Sequence, residues 1–424
     1  MRHVLAMLLV GGQGERLYPL TLDRAKPAVP FGGIYRLIDF TLSNCVNSGL
    51  RRINILTQYK SDSLNRHVRN GWSIFHNEFG EFIELIPAQQ RVSKDWYLGT
   101  SDAVYQNLHL IDYGVTTHVL ILSGDHVYKM DYAKMLAFHE SKGADMSVAA
   151  LEIPREEGRR FGVLQVDDSE RVVGFHEKPA DPVPLPGKRE SSFGSMGIYI
   201  FNMDGLTKVL AEAPGRERMQ DFGRDVIPLM LDSCEVYAYN FIDENKKTAD
   251  YWKDVGTIDA YYEANMDLVA VTPLFNLYDP RWPIRTYQPQ NPPAKFVFAQ
   301  EESEGGRMGV ALDSITSGGC IVSGGKVRRS ILSPRVRINS FAMVEDSILF
   351  DDVSVGRYCR IKNAIIDKHV QVPPRTEIGY DIDRDRKKFA VTDSGIVVIA
   401  KGTKIEPPPI KVFMPPGKRV KKKT

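Results

Sequence analysis

Apolar and polar positions follow two different periods along this chain. In the first part, short apolar runs alternate with stretches of helical spacing. Val4–Val10 is unbroken and apolar, the mark of a strand buried on both faces, and it stops at Gly11-Gly12. Leu37, Ile38, Leu42 and Val46 recur at helical spacing within Arg36–Asn47, and Gly49 is placed to cap that helix. Ile53–Leu56 predicts a second strand, Ser61–Arg69 a polar helix, and Phe82–Ile86 a third strand. A helix capped by Thr100 or Ser101 is predicted to run to Asp112. Val119–Leu122 is again apolar and ends in Ser123-Gly124-Asp125-His126; Asp131 then caps a helix that stops at Gly143. This alternation predicts an α/β fold whose parallel sheet is covered on both faces. Ligands of such sheets sit beyond the carboxyl ends of the strands, where the Gly11 loop and Asp125 both fall.

The stretch 146–245 mixes strands (Met146–Ile153, Gly162–Val166, Val172–Phe175, Gly197–Phe201, Val236–Phe241) with a proline-rich loop at Pro179–Gly187. Thr257 is placed to cap a helix from Ile258 to Val269, and the prolines of Pro273–Pro293 read as a linker. Beyond them the period changes. Shifted by 17 residues, Ser330-Ile331-Leu332 falls on Ser347-Ile348-Leu349 and Ala364-Ile365-Ile366, with Ile315 in the column of Leu332. Val336, Val353 and Val370 make a second column, and Ile321, Ile338, Val355 and Val372 a third. Apolar residues recur about every six positions within each turn, which predicts a parallel β-helix. The expected division is 1–272 catalytic, 273–296 linker, 297–400 β-helix and 401–424 tail, the last ending in a basic run at Lys418–Lys423.

Composition narrows the chemistry. The 424 residues carry a formal charge of only +2, so nothing in the overall balance points to nucleic acid or an anionic membrane. No apolar run approaches the roughly 20 residues needed to span a bilayer. Cys45, Cys234, Cys320 and Cys359 are far apart and without a C-x-x-C pair, as expected of reduced thiols in a cytoplasmic protein. In Leu8–Gly33, Gly11, Gly12 and Gly14 let backbone N–H groups approach an anion, and Arg16 and Lys26 supply cations to clamp a polyphosphate. Neither the Walker pattern nor the dinucleotide fingerprint fits: the terminal Gly-Lys-Ser/Thr is missing, and Leu17 stands where a third glycine is needed. Asp125 and Asp254, from distant segments, suit Mg²⁺, a hard cation held by one or two carboxylates plus phosphate oxygens. Glu177-Lys178 offers a carboxylate for sugar hydroxyls and an ammonium for a phosphate.

Taken in order, the segments Gly11–Leu17, Arg24–Ala28, Ser43–Gly49, Pro87–Gln90, Trp96–Ala103, Gly124–Tyr128, Glu177–Ala180, Ser195–Tyr199, Asp254–Thr257 and Ser317–Gly324 closely resemble the bacterial glucose-1-phosphate adenylyltransferases. The resemblance spans about residues 4–400. It implies a Rossmann-like catalytic domain, a C-terminal left-handed β-helix, Mg²⁺ dependence, a homotetramer, a small anionic effector and a place in glycogen synthesis. By the same resemblance, glucose 1-phosphate contacts fall on Tyr97, Gly162, Glu177, Lys178 and Ser195, and metal carboxylates on Asp125 and Asp254. Arg16 and Lys26 match the triphosphate clamp of ATP, and Gln89, Gly99 and Thr100 the adenine pocket. Three positions depart from the family pattern: Gln13, Glu15 and Ile34. Glu15 would place a carboxylate beside the triphosphate. Ile34 stands where many members carry an effector-binding lysine after F-G-G, which predicts weak or altered activation by fructose 1,6-bisphosphate, with Arg36, Arg51 and Arg52 left nearby to bind an anion.

The expected reaction is in-line attack of a glucose 1-phosphate oxygen on the α-phosphorus of ATP, with pyrophosphate leaving. That oxygen is already ionised near neutral pH, since a second phosphate pKa lies near ~6, so no general base is required. The rival readings are transfer from another nucleotide to another sugar 1-phosphate, a bifunctional uridylyltransferase–acetyltransferase, and a regulatory subunit without catalysis. The short β-helix opposes the second, and the retained Arg16, Lys26, Asp125, Lys178 and Asp254 oppose the third.

Overall fold

Alternate residues of Val4–Val10 enter two different cores, which explains why the run is apolar throughout. Val4, Ala6, Leu8 and Val10 pack with Ile38, Leu42, Leu64 and Met135 on one face. Leu5 and Met7 pack with Val104, Ile121, Phe201 and Phe222 on the other. The computed structural model describes residues 1–90, 96–211, 219–243, 248–300 and 306–409. These fall into two compact units, Met1–Gln290 and Asn291–Thr424.

In the first unit, β1 (Val4–Val10), β2 (Arg52–Thr57), β3 (Phe82–Pro87) and β4 (His118–Ser123) form the parallel centre of the sheet. Their order is β3-β2-β1-β4, so the direction of strand addition reverses between β1 and β4. In the register Leu9 pairs with Ser123, so the glycine loop and Asp125 leave the same edge. A short strand, β5 (His126–Tyr128), then leaves this sheet. The sheet continues through β6 (Met146–Pro154), the hairpin β7 (Gly162–Val166) and β8 (Val172–Glu177), β9 (Ser191–Asn202) and β10 (Val236–Asn240). β9 runs antiparallel to β4 and β6, and β10 runs parallel to β6. Finally β11 (Trp252–Asp254) pairs antiparallel with β5, setting Asp254 opposite His126.

The helices include α1 (Leu37–Asn47), α2 (Asp62–Gly71), α3 (Thr100–Gln106), α4 (Tyr132–Lys142) and α5 (Ile258–Asp267). Asp39, fully buried on α1, accepts from His67 Nε2 (2.6 Å) and Trp72 Nε1 (2.9 Å), tying α1 to α2. Three boundaries differ from the sequence reading. α3 stops at Gln106 because Asn107 Nδ2 caps the Ala103 carbonyl at 2.7 Å, and a short 3-10 turn follows. Its N-cap is Gly99, since the Thr100 hydroxyl turns away to accept from Phe222 N at 3.3 Å. β9 begins at Ser191 rather than Gly197; Gly197, at φ +67°, sits in a bulge within it. Residues 273–290, expected to be a spacer, belong to the first unit: Phe275 and Ile284 are buried, and Trp282 Nε1 donates to Asn44 Oδ1 at 2.8 Å. No described helix is long and apolar enough to cross a membrane.

The second unit is a left-handed parallel β-helix with a 17-residue coil: Met343 pairs with Arg360, and Arg360 with Glu377. Its corners carry residues of positive φ in three columns: Arg329, Asp346, Asn363; Arg335, Asp352, His369; and Phe341, Tyr358, Arg375. Successive corners are therefore six, five and six residues apart (335 to 341 to 346 to 352), which is why the coil has 17 residues rather than three full sixes. Side chains stack along each column. Arg329 and Arg335 bind Asp346 and Asp352 in bidentate pairs at 2.7–2.8 Å, and Phe341 stacks on Tyr358 with centroids 4.9 Å apart.

Two columns depart from the sequence reading at their first member. Val322, not Ile321, pairs with Ile338 and fills the core, and Ile315 pairs with Ile331 rather than Leu332. The coil that begins at Val310 is one residue shorter than the others: Val310 pairs with Lys326, sixteen positions on. The shortening lies at the Gly324-Gly325 corner. A Cβ on Gly325 would stand 2.7 Å from Ile338 Cγ2 and 2.8 Å from Asn339 O, so only glycine closes this corner. The basic run at Lys418–Lys423 lies outside the described residues. Gly325→Ala is expected to destabilise this unit by about 1–3 kcal/mol, the usual cost of overpacking, lowering its thermal unfolding midpoint by several degrees. An unchanged midpoint would mean the corner accepts a Cβ.

Candidate active site

At the carboxyl edge of β1 and β4 a cleft of about 880 Å³ opens. Gly11, Gly12, Gly14, Arg16, Lys26, Tyr97, Gly99, Thr100 and Asp125, nine of the residues singled out in the sequence, line it. Gly14 adopts φ +65° at the start of a 3-10 turn, Glu15–Leu17, and Thr21 Oγ1 donates to its carbonyl at 3.0 Å. This turn points the loop back over Lys26; a Cβ on Gly14 would stand 3.0 Å from Lys26 Cβ. Gly12 is exposed, and a Cβ there would meet nothing within 4 Å.

Lys26 is the centre of the site. Its side chain is only 10% exposed, and its ammonium lies 2.8 Å from Asp125 Oδ2 and 2.8 Å from Asp254 Oδ1. Burial opposes the charge on Lys26, but Asp125 and Asp254 outweigh it and its pKa is raised. Burial would likewise raise the Asp125 carboxyl. The charges of Lys26 and His126, with hydrogen bonds from Lys26 and Ser123, hold it well below the usual carboxylate range. His126 behaves in the opposite sense: burial lowers its pKa despite Asp125 and Asp254, so the imidazole is neutral near pH 7. Arg16 reaches the same place, since a Cβ on Gly256 would stand 3.0 Å from both Arg16 Nη2 and Asp254 Oδ2.

The oxygens of Asp125 and Asp254 and a nitrogen of His126 lie within 4.8 Å of one another. Two carboxylates gathered around a monovalent cation form a donor set that fits a hard divalent ion bound with phosphate oxygens. The residues present therefore fit a divalent metal, with Lys26 holding the carboxylates together.

The second group lies along β7, β8 and β9. Gly162 pairs with Glu177, and a Cβ on Gly162 would stand 2.4 Å from Phe175 Cζ. Lys178 Nζ donates to Glu177 Oε1 at 2.7 Å, and both side chains are exposed. Lys178 adopts φ +47°, a left-handed conformation costly for a lysine, with its N–H held by Phe161 O at 2.9 Å. The hydroxyls of Ser195 and Tyr199 hydrogen-bond, and Tyr199 lines the cleft, linking this group to it. Tyr97 accepts from Asn107 Nδ2 at 2.8 Å. Gln89 is exposed and follows Ala88, which lines a second cavity of about 460 Å³ that shares Gly11, Gln13 and Gln58 with the main cleft. Glu15 lies exposed on the rim of the main cleft, in contact with solvent.

His126, Ser123, Tyr199 and Asp221 were not singled out from the sequence. Asp221 lines the cleft and accepts from Gly223 N at 2.9 Å and Arg224 N at 3.1 Å. The segment carrying it crosses so close to Gly99 that a Cβ there would stand 2.1 Å from Gln220 O. The signal for His126 was its place directly after Asp125 at a strand end; Asp221 had none. Of the three arginines near Ile34, Arg36 donates to Ser63 O (2.8 Å), Arg51 to Leu50 O (2.8 Å) and Arg52 to Thr116 Oγ1 (2.9 Å).

Comparison with known proteins agrees with this geometry. A family model described as nucleotidyl transferase matches residues 5–270, and one described as GlmU-like, C-terminal hexapeptide, matches residues 292–399. The chain is 57% identical to a glucose-1-phosphate adenylyltransferase of Koribacter versatilis, covering 97% of this chain and 99% of that protein. It is 55% identical to one of Rhodopirellula baltica over 96% and 92% of the two chains, and 49% identical to one of an Anaeromyxobacter species over 96% and 100%.

Lys26→Met leaves the two carboxylates facing each other without their cation. Removing one partner of a fully buried pair costs ~3–5 kcal/mol. Asp125 and Asp254 keep 24% and 38% exposure, so a smaller loss, about 1–3 kcal/mol, is expected in denaturant unfolding. A divalent cation should restore part of that loss while shifting the unmodified protein less. An equal shift in both would show that the carboxylates do not accept the ion in place of the ammonium.

Proposed function

The chain belongs to the glucose-1-phosphate adenylyltransferases, within the nucleotidyl transferases, and from that membership and the cleft we propose how its residues divide the reaction. The enzyme transfers the adenylyl group of ATP to glucose 1-phosphate, giving ADP-glucose and pyrophosphate for glycogen synthesis. The observation that carries the proposal is the pair Asp125 and Asp254, gathered by Lys26 at the mouth of the glycine loop.

The backbone of Gly11, Gly12 and Gly14 cradles the triphosphate, and Arg16 and Lys26 neutralise it. Gln89, Gly99 and Thr100 receive the adenine. Tyr97, Gly162, Glu177, Lys178 and Ser195 hold glucose 1-phosphate, with Lys178 on its phosphate and Glu177 on sugar hydroxyls. Asp125 and Asp254 hold Mg²⁺, which when bound supplies charge neutralisation for the phosphates. The attacking oxygen is already ionised near pH 7, so the protein has positioning and electrostatics to provide rather than a base. His126, neutral and largely withdrawn from solvent, stands beside Asp125 with Nε2 3.5 Å from Oδ1. A homotetramer and a small anionic effector complete the proposal. With Arg36, Arg51 and Arg52 committed to internal partners and Ile34 apolar, activation by fructose 1,6-bisphosphate is expected to be weak.

The test is a nucleotide panel with glucose 1-phosphate, reading pyrophosphate release: ATP should be preferred over UTP, dTTP and GTP. Preference for another nucleotide would make the enzyme a different sugar-1-phosphate transferase, and no release with any would make it a non-catalytic subunit. Asp125→Asn and Asp254→Asn should each lower turnover by ~10²–10³ while the fold survives, as removal of preorganised charge does. Near-normal turnover of either folded variant would reject its role. Lys178→Gln should raise KM for glucose 1-phosphate and leave KM for ATP nearly unchanged. Equal weakening of both would move Lys178 to the nucleotide half of the site.

A further inference from the structure

At the opposite edge of the sheet, three side chains of metal-binding type converge on a place that takes no part in the chemistry above. His3 precedes β1, His118 opens β4 and Glu140 lies in the last turn of α4. One donor atom from each lies within 4.8 Å of the other two. His3 Nε2 stands 4.0 Å from Glu140 Oε1, and the rings of His3 and His118 are 5.7 Å apart between centroids. β1 is seven residues long, so this cluster sits roughly 20 Å from the glycine loop at the other end of the strand.

We propose that His3, His118 and Glu140 form a binding site for a zinc-class divalent cation, joining the entrance of β1 to the end of α4. Two imidazoles and one carboxylate make the donor set of a borderline ion such as Zn²⁺, whereas Mg²⁺ prefers oxygen alone. Three protein ligands leave the fourth position of a tetrahedral ion to water.

The backbone makes the site rigid where rigidity is needed. In the parallel register Val4 pairs with His118, and His3 O accepts from Thr117 N at 2.9 Å, so the two histidines are held side by side by the sheet. Thr117 Oγ1 lies 2.8 Å from His118 Nδ1; an Nδ1–H donated to it leaves the lone pair on Nε2, the pattern in which an outer partner orients a metal-binding imidazole. His139, the next ring along at 5.3 Å, is not available: its two nitrogens face Ser147 Oγ (2.9 Å) and Asn202 Oδ1 (3.1 Å). Zinc bonds of about 2.0–2.1 Å at tetrahedral angles place donors roughly 3.4 Å apart. His3 and Glu140, with side chains 44% and 53% exposed, are free to close that remaining distance by rotation.

The experiment is calorimetric titration of the full chain with Zn²⁺ in excess Mg²⁺, alongside thermal unfolding and the visible spectrum of the Co²⁺ form. The expected result is one ion bound, a raised unfolding midpoint and a four-coordinate Co²⁺ spectrum. His118→Gln, His3→Gln and Glu140→Gln should each weaken binding by about tenfold or more, while Asp125→Asn leaves it unchanged. Melting of each variant without metal reports its folding, and exposed His3 supplies a variant whose fold is not at risk. Unchanged affinity in both histidine variants, loss of binding in Asp125→Asn, or absence of binding in the unmodified chain would overturn the proposal. Since this readout is independent of turnover, its failure leaves the proposed reaction untouched, and the reverse holds as well.

Discussion

One ammonium between two carboxylates organises the catalytic unit. Lys26 comes from the loop after β1, Asp125 from the end of β4 and Asp254 from β11, and the three meet at 2.8 Å. The charges of Lys26 and Asp125 would be costly at their depth alone, so each makes the other tolerable, and the more exposed Asp254 adds to the balance. The same arrangement keeps Asp125 ionised far below neutral pH and Lys26 protonated far above it. The charge state of the site is thereby set in advance of any ligand, which is the electrostatic preorganisation that phosphoryl transfer needs.

What holds the three charges in place is the parallel centre of the sheet. β1 is buried on both faces, so a register slip would exchange two whole sets of core side chains, and the pairing is strongly specified. Reversal of strand order between β1 and β4 then brings the glycine loop and Asp125 to one edge. The β-helix solves its own register problem differently. Each coil repeats the side chains of the one below, and the corner columns bind vertically through Arg–Asp pairs and the Phe341–Tyr358 stack. Exposed pairs of this kind contribute little individually, ~0–1 kcal/mol, so the stacked apolar interior carries most of the stability.

By itself, the sequence determined the α/β unit, the β-helix and the glycine loop with its cations, and it offered Asp125 and Asp254 as candidate metal carboxylates. These were legible because each is written locally: an unbroken apolar run, a repeat of fixed length, a residue at a strand end. The tertiary structure alone decided that Lys26 joins those carboxylates, across 99 and 228 positions of chain. It alone brought Asp221 to the cleft, through a crossing segment that leaves no periodicity, and turned Thr100 away from its own helix toward Phe222. The column of Ile321 failed for a related reason: sequence spacing counts residues, whereas a corner is closed by backbone geometry, and Gly324-Gly325 turns with one residue fewer. Periodicity reports which residues share a face. Distances between elements far apart in the chain depend on how the faces pack, and no local pattern encodes that.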